Sequence, residues 1–166
     1  MNNTITVIDG LDMAGKSTLA RMLSEAYGVV HQPVSVQEAG AENRFKTYCN
    51  LLEKGEGYVL DGRLFTCNLQ SDDMQPAIPE ELTDRLEKAL KERENVHLVF
   101  ALPGSKELYL GKVRALMEQT GVRAGGIHSS ILKYSDAYDA HVLEYNRLKA
   151  IAPDRVTRYD MFKVLV

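Results

Sequence analysis

Apolar positions along the chain alternate between a spacing of two and a spacing of three to four. "TITVIDG", Thr4 to Gly10, is rich in β-branched residues and closes on glycine, which predicts a first strand. In "KSTLARMLSEAYG" the residues Leu19, Met22, Leu23 and Ala26 recur at helical spacing, and Gly28 offers a C-cap. "PVSVQEAG", Pro33 to Gly40, predicts a second strand. "AENRFKTYCNLLEKGEG" predicts a helix carrying Phe45, Tyr48, Leu51 and Leu52 on one side and stopping at Gly55. "YVLDG" is a short apolar strand closed by an acid. "PEELTDRLEKALKERENV" opens with proline and acids, as helix N-termini do, and sets Leu82, Leu86 and Leu90 on one stripe. "VHLVFAL" is the most strand-like run, ended by Pro103-Gly104. A helix capped by Ser105 and stopping near Gly121 follows, then "VRAGG" as a loop. A long helix from Ile127 to Pro153 and a short strand in "RVTRYD" complete the chain. Strands separated by helices predict an α/β fold: a parallel sheet with helices on both faces, in one domain over residues 1–166.

Composition agrees with this pattern and removes some functions. Of the 166 residues, 45% are hydrophobic and 26% charged, as in ordinary globular chains, so a disordered or fibrous protein is not expected. The net charge of -3 gives no support to a dedicated nucleic-acid binder, although a local basic groove remains compatible with it. No apolar run is long enough to cross a bilayer, and the N-terminus lacks a basic region followed by an apolar stretch. The expectation is a cytoplasmic protein with no membrane partner. Cys49 and Cys67 have no C-x-x-C spacing and read as reduced packing residues. His31, His97, His128 and His141 are scattered and read as incidental, so zinc chemistry is not expected.

"GLDMAGKS", Gly10 to Ser17, satisfies G-x-x-x-x-G-K-S/T at every fixed position, between a predicted strand and a predicted helix. Glycines let the backbone turn so that successive N–H groups point inward, and the helix N-terminus adds positive partial charge. The loop, with Gly10, Asp12, Met13, Ala14, Gly15, Lys16, Ser17 and Thr18, therefore reads as a cradle for a nucleotide's phosphates. Lys16 would reach the β- and γ-phosphates, Ser17 would bind Mg²⁺, and Thr18 would donate to a nearer phosphate. The motif is shared by GTPases, ATPase motors and small-molecule kinases, so the later residues have to discriminate.

Beyond the loop the chain resembles the thymidylate kinase and deoxynucleoside kinase group of P-loop kinases, over nearly its whole length. "IDG" stands where the group has an acid before the loop, and "VQEAG" stands for its "REPG" or "EP", with Glu38 on the acid. "YVLDGR" stands for its acid–arginine pair, with Gly62 inserted between Asp61 and Arg63. "VFALPG" and "APDRVTRYD" match its fourth and last strands. The resemblance implies a three-layer P-loop NTPase sandwich with a five-stranded parallel sheet, ATP and Mg²⁺ as cofactors, and a lid over about residues 105–127. It implies that Glu38 accepts or orients the acceptor's proton. Asp61 would hold Mg²⁺ through a water, Arg63 would clamp phosphate or substrate, and Arg114 would be the lid's cation. Lys112 and Arg114 do not share a helical face, so one of them at most is expected to point at the phosphates. Arg123 would swing in on closure. Asp9 reads as a buttress of the loop and of Mg²⁺ waters, with a general-base role as the alternative. Arg44, Phe45 and Tyr48 either line an acceptor pocket or, for the aromatics, pack in the core. "QSDDMQPAIP" reads as a solvated loop or a cover over the site.

The implied activity is transfer of the γ-phosphate of ATP to a nucleoside, a nucleoside monophosphate or a related hydroxyl acceptor. Two alternatives stand beside it: a kinase acting on a hydroxymethylated base in DNA, and a nucleotide-binding module without transfer. The compact lid and short acceptor region resemble small viral members, phage-type kinases acting in a host cytoplasm. Dimers are common in the group, so a homodimer is among the expected partners.

Overall fold

The computed structural model describes residues 3–33, 41–55, 57–69 and 77–163. Five strands and five helices follow one another as β1 (Ile5–Gly10), α1 (Lys16–Tyr27), β2 (Val30–Pro33), α2 (Ala41–Lys54), β3 (Tyr58–Asp61), α3 (Glu80–Glu92), β4 (Val96–Ala101), α4 (Lys106–Gln119), α5 (Ala124–Ile151) and β5 (Val156–Tyr159). The sheet order is β2-β3-β1-β4-β5, and every neighbouring pair is parallel. β1 is central, with β3 on one side and β4 on the other. The chain reverses its direction of winding there, which opens a crevice at the carboxyl ends of the strands.

The two faces of the sheet are unequal. Alternate residues Val96, Leu98 and Phe100 of β4, with Ile5, Val7 and Leu60, point into the main core and are fully buried against helices including α2 and α3. Leu82, Leu86 and Leu90 form the predicted stripe of α3 and lie in that core. Phe45 and Tyr48 of α2 are buried there too, so they take the packing alternative. On the opposite face Ile8 and Val59 pack with Ala20 of α1, in a small cluster edged by Leu19, Leu23 and Val99. Helices thus cover both faces, as expected.

Two predicted elements are displaced. The second strand starts at Val30 and the described part ends at Pro33, earlier than the expected Pro33–Gly40; residues 34–40, Glu38 among them, lie outside the described residues. The cause is the tight C-cap of α1. Gly28 is left-handed (φ 63), its N–H and that of Val29 both donate to the Ser24 carbonyl, and the chain turns straight into the edge strand. His31 and Gln32 disguise that strand, because an edge tolerates polar side chains. "VRAGG" is not a loop beyond Arg123: α5 begins at Ala124 and contains Gly125 and Gly126, with the Ile127 N–H already bonded to the Arg123 carbonyl. No described helix is long and apolar enough to cross a membrane.

Candidate functional site

β1 delivers the loop at the carboxyl edge of the sheet. Gly10 has φ 118, and a Cβ there would sit 2.3 Å from the Ala101 carbonyl oxygen of β4, so only glycine fits the approach. The Leu11 N–H then donates to that oxygen at 3.0 Å. Gly15 is left-handed (φ 82), and no side chain caps α1, so the helix's first amides face the mouth of the loop. Ser17 and Thr18 are exposed at this end. The Lys16 ammonium folds back over the loop, 2.6 Å from the Leu11 carbonyl, 3.1 Å from that of Gly10 and 3.4 Å from Asp12 Oδ1.

Arg63 reaches the same loop from the end of β3. The Gly62 N–H donates to the Ile8 carbonyl at 3.1 Å, prolonging the β1–β3 ladder by one residue. Asp9, fully buried, accepts from the backbone N–H groups of Phe65 and Thr66 and from the Thr66 hydroxyl, as well as from the Gly10 N–H at 2.6 Å. Arg63 is thus strung between two anchors. Its guanidinium pairs with the Asp12 carboxylate through two nitrogens, one of them Nε at 3.3 Å. The inserted Gly62 therefore still leaves this arginine aimed at the phosphate loop. Burial raises the Asp9 carboxyl above the usual range, against hydrogen bonds from Thr66 and Gly10 and the charge of Lys16. Burial acts on Asp12 in the same sense, but Lys16 and Arg63 together outweigh it and hold that carboxyl low.

Asp61 lies in register with Ile8 and Pro33, nearly buried, with its Oδ2 3.3 Å from His31 Nε2. His31 thus has a polar partner on β3, while His141 of α5 is a buried core residue. On α4 the basic residue that turns toward the loop is Lys112. Its ammonium donates to the Met13 carbonyl at 3.1 Å and lies 3.4 Å from Met161 Sδ, whereas Arg114 is exposed. The reason is helical phase: Lys112 shares a face with buried Tyr109, whose hydroxyl donates to the Asp12 carbonyl at 3.1 Å. Arg123 is exposed at the start of α5. Tyr109 and Thr66 escaped sequence reading, although the i, i+3 spacing of Tyr109 and Lys112 was a usable signal.

Both cysteines are free. Burial pushes the Cys49 thiol up to about 11 and that of Cys67 up to about 12, so neither is a ready nucleophile. No group of three or more His, Cys, Asp or Glu among the described residues could hold a metal alone. A Mg²⁺ here would depend on nucleotide phosphates together with Ser17, which suits an ion that keeps several waters. A cavity of about 370 Å³ lies on the α1 face, over Thr6, Val59, His97 and Thr157, and no loop residue lines it.

No protein-family model matches the sequence, and no curated protein matches it significantly. Solved structures do. The chain is similar to the YorR protein of Bacillus subtilis in complex with phosphorylated GDP, at TM-score 0.64 and 12% identity, over 96% of this chain and 87% of that one. It is similar to shikimate kinase of Acinetobacter baumannii in complex with shikimate, at TM-score 0.53 and 15% identity, over 93% and 81%. It is also similar to deoxyadenosine kinase of M. mycoides with dCMP and dCDP, at TM-score 0.51 and 12% identity, over 95% and 90%. At such identities the likeness establishes the fold alone, the α/β fold that in this chain is built on a five-stranded parallel sheet.

Proposed function

We propose that the protein is an ATP-dependent phosphotransferase that moves the γ-phosphate to a hydroxyl of a nucleoside, a nucleoside monophosphate or a related small acceptor. The observation that carries this reading is the joining of two cations, Lys16 and Arg63, at one strand-to-helix loop whose helix N-terminus has no side-chain cap. Two of the similar structures are described with nucleotides bound, which favours a nucleotide-related acceptor over other hydroxyl compounds.

Phosphoryl transfer is mainly a matter of positioning and of neutralising charge on the moving oxygens. Loop amides and Lys16 would hold the phosphates of ATP, with Thr18 donating to the nearer one. Ser17, with Asp61 acting through water, would hold a Mg²⁺ ion, whose chemistry would be to neutralise charge on the nucleotide's phosphates. Arg63 is the candidate clamp on the transferring group or the acceptor. Asp12, already paired with both cations, orients them. Glu38 is the candidate to orient or deprotonate the acceptor hydroxyl. Arg114, exposed on α4, is a weaker candidate for a charge-neutralising role than Arg63.

A labelled-ATP transfer assay against deoxynucleosides, their monophosphates and hydroxymethylated DNA, side by side, tests the reading and names the acceptor. Lys16→Ala should lower transfer by about 100-fold or more while the protein still folds, because the group removed acts on the transferring phosphate. Full activity in that variant would sink the assignment. ATP binding with no transfer to any acceptor would leave a nucleotide-binding module.

A further inference from the structure

Among the described residues Met13 is the only one other than glycine with a positive φ, at 58°. A left-handed methionine is strained, and such a residue persists only where its surroundings over-determine it. Its place is the middle of the phosphate loop, where alternation of right- and left-handed residues makes successive N–H groups converge on an anion. The conformation of Met13 is fixed by two peptide planes, one on each side of its Cα. The structure pins both of them from the same helix. The Tyr109 hydroxyl donates to the Asp12 carbonyl at 3.1 Å, and the Lys112 ammonium donates to the Met13 carbonyl at 3.1 Å. These donors are three residues apart on α4 and so share a face.

The helix that carries them is itself anchored. Tyr109 is fully buried, with its ring 5.8 Å from that of Tyr138 and 6.5 Å from that of Tyr134, both on α5. Ser105 caps α4, and Lys106 is paired with Asp139 of α5 at 2.7 Å. Lys112 also contacts Met161, whose Cβ lies 3.7 Å from where a Gly15 Cβ would be. The donors therefore engage the loop through its carbonyls and leave its amides unoccupied by these side chains.

We propose that Tyr109 and Lys112 are positioning residues that hold the phosphate loop in its left-handed turn, so that the cradle is formed before nucleotide arrives. In this role α4 acts on the loop through its backbone carbonyls. The inference rests on the reading that the loop takes ATP.

The test compares wild type, Lys112→Met, Lys112→Arg, Tyr109→Phe and the double variant Met13→Gly/Lys112→Met. ATP-Mg and tripolyphosphate binding are measured by calorimetry, alongside KM for ATP, kcat and the thermal midpoint. Loss of the charged donor in Lys112→Met should weaken ATP about tenfold and raise KM in step, with kcat within about threefold of wild type. Tripolyphosphate should weaken equally, since the defect lies in the cradle. Lys112→Arg should recover most of the affinity. Tyr109→Phe, which keeps the ring packed on Tyr138, should show a smaller loss of the same kind. The double variant should bind ATP more tightly than Lys112→Met, because glycine takes the left-handed turn without strain and needs no prop. The proposal is overturned if Lys112→Met binds ATP as wild type does, or if the loss falls on kcat with KM unchanged, which would put the ammonium on the transferring phosphate. Failure of glycine at position 13 to rescue binding also overturns it. A wild-type protein that binds no ATP refutes the parent reading instead, and the two failures are told apart by that first titration.

Discussion

Gly10 and Gly15 both have positive φ at the turn between β1 and α1, yet they are glycine for different reasons. At Gly10 a Cβ would overlap the Ala101 carbonyl at 2.3 Å, and that carbonyl is rigid backbone of the neighbouring strand. At Gly15 the nearest atoms to an added Cβ are side chains of Tyr159 and Met161 at 3.7 Å, an ordinary contact, so only the left-handed backbone resists substitution. Overpacking adds to strain in the first case and not in the second. Gly10→Ala should therefore cost about 3 kcal/mol or more, and Gly15→Ala about 1 kcal/mol. Urea midpoints of the two variants check the order; equal losses would mean that the β1–β4 contact yields more easily than its geometry implies. The same scale holds the ion pairs of Asp12. One carboxylate in the loop serves both Lys16 and Arg63, so the two cations are oriented together. The turn from β1 into α1 at Gly10–Lys16 is legible in the sequence because the motif is local. The motif does not show that Asp12 couples this turn to Arg63, which is 51 residues further along the chain.

Helix ends were the most legible elements, because capping is a short-range chemistry. Ser105 was expected to cap α4, and its hydroxyl accepts from the Leu108 N–H at 3.2 Å. Ser105→Ala should lower stability by about 1 kcal/mol, read as a shifted denaturation midpoint, and should also raise KM for ATP if α4 props the loop. A drop in stability with no change in KM would separate the helix from the cradle. Elements went wrong where a local signal met a tertiary one. Gly125 and Gly126 promised a loop, but they sit in the first turn of a 28-residue helix anchored further along by Ala137, Tyr138 and Leu148, all buried. β2 was placed too late because its polar His31 and Gln32 break the apolar pattern, while parallel pairing with β3 supplies the strand's support. The phase of α4 was a third case. Sequence showed that Lys112 and Arg114 point apart, and only the packing of Tyr109 against α5 decided which of them meets the loop.

Across the whole molecule, the main core lies on one face of the sheet and carries an ionisable ring inside it. His141 is 1% exposed, its Nδ1 is 2.7 Å from the Ala137 carbonyl, and its ring is tilted against Phe100 with centroids 6.1 Å apart. A carbonyl accepts, so Nδ1 carries a proton, and burial is what favours the neutral form of the ring. Burial lowers its pKa below the ordinary 6.5, and Lys16 and Arg63 act in the same direction, against Ala137 and Asp9. A depressed folded value means that the unfolded chain takes up the proton first. The stability that His141 contributes is therefore complete above 6.5 and is lost as pH falls through the lower, folded value. Asp9 has the opposite sign: its raised carboxyl favours the folded state most below 3.8, and that share declines as pH rises. On acidification the imidazole lowers stability while Asp9 acts in the opposite sense, so the share of His141 is read as the difference between wild type and a variant without the ring. Each kcal/mol of that difference should appear as about 2–4 °C in the thermal midpoint. His141→Leu, which keeps an apolar side chain against Phe100, should lose less stability than wild type on acidification, whatever it does to the midpoint at pH 7. Parallel curves for wild type and variant would show that the core accepts a charged imidazole without cost, and the acid sensitivity would then belong to surface carboxylates.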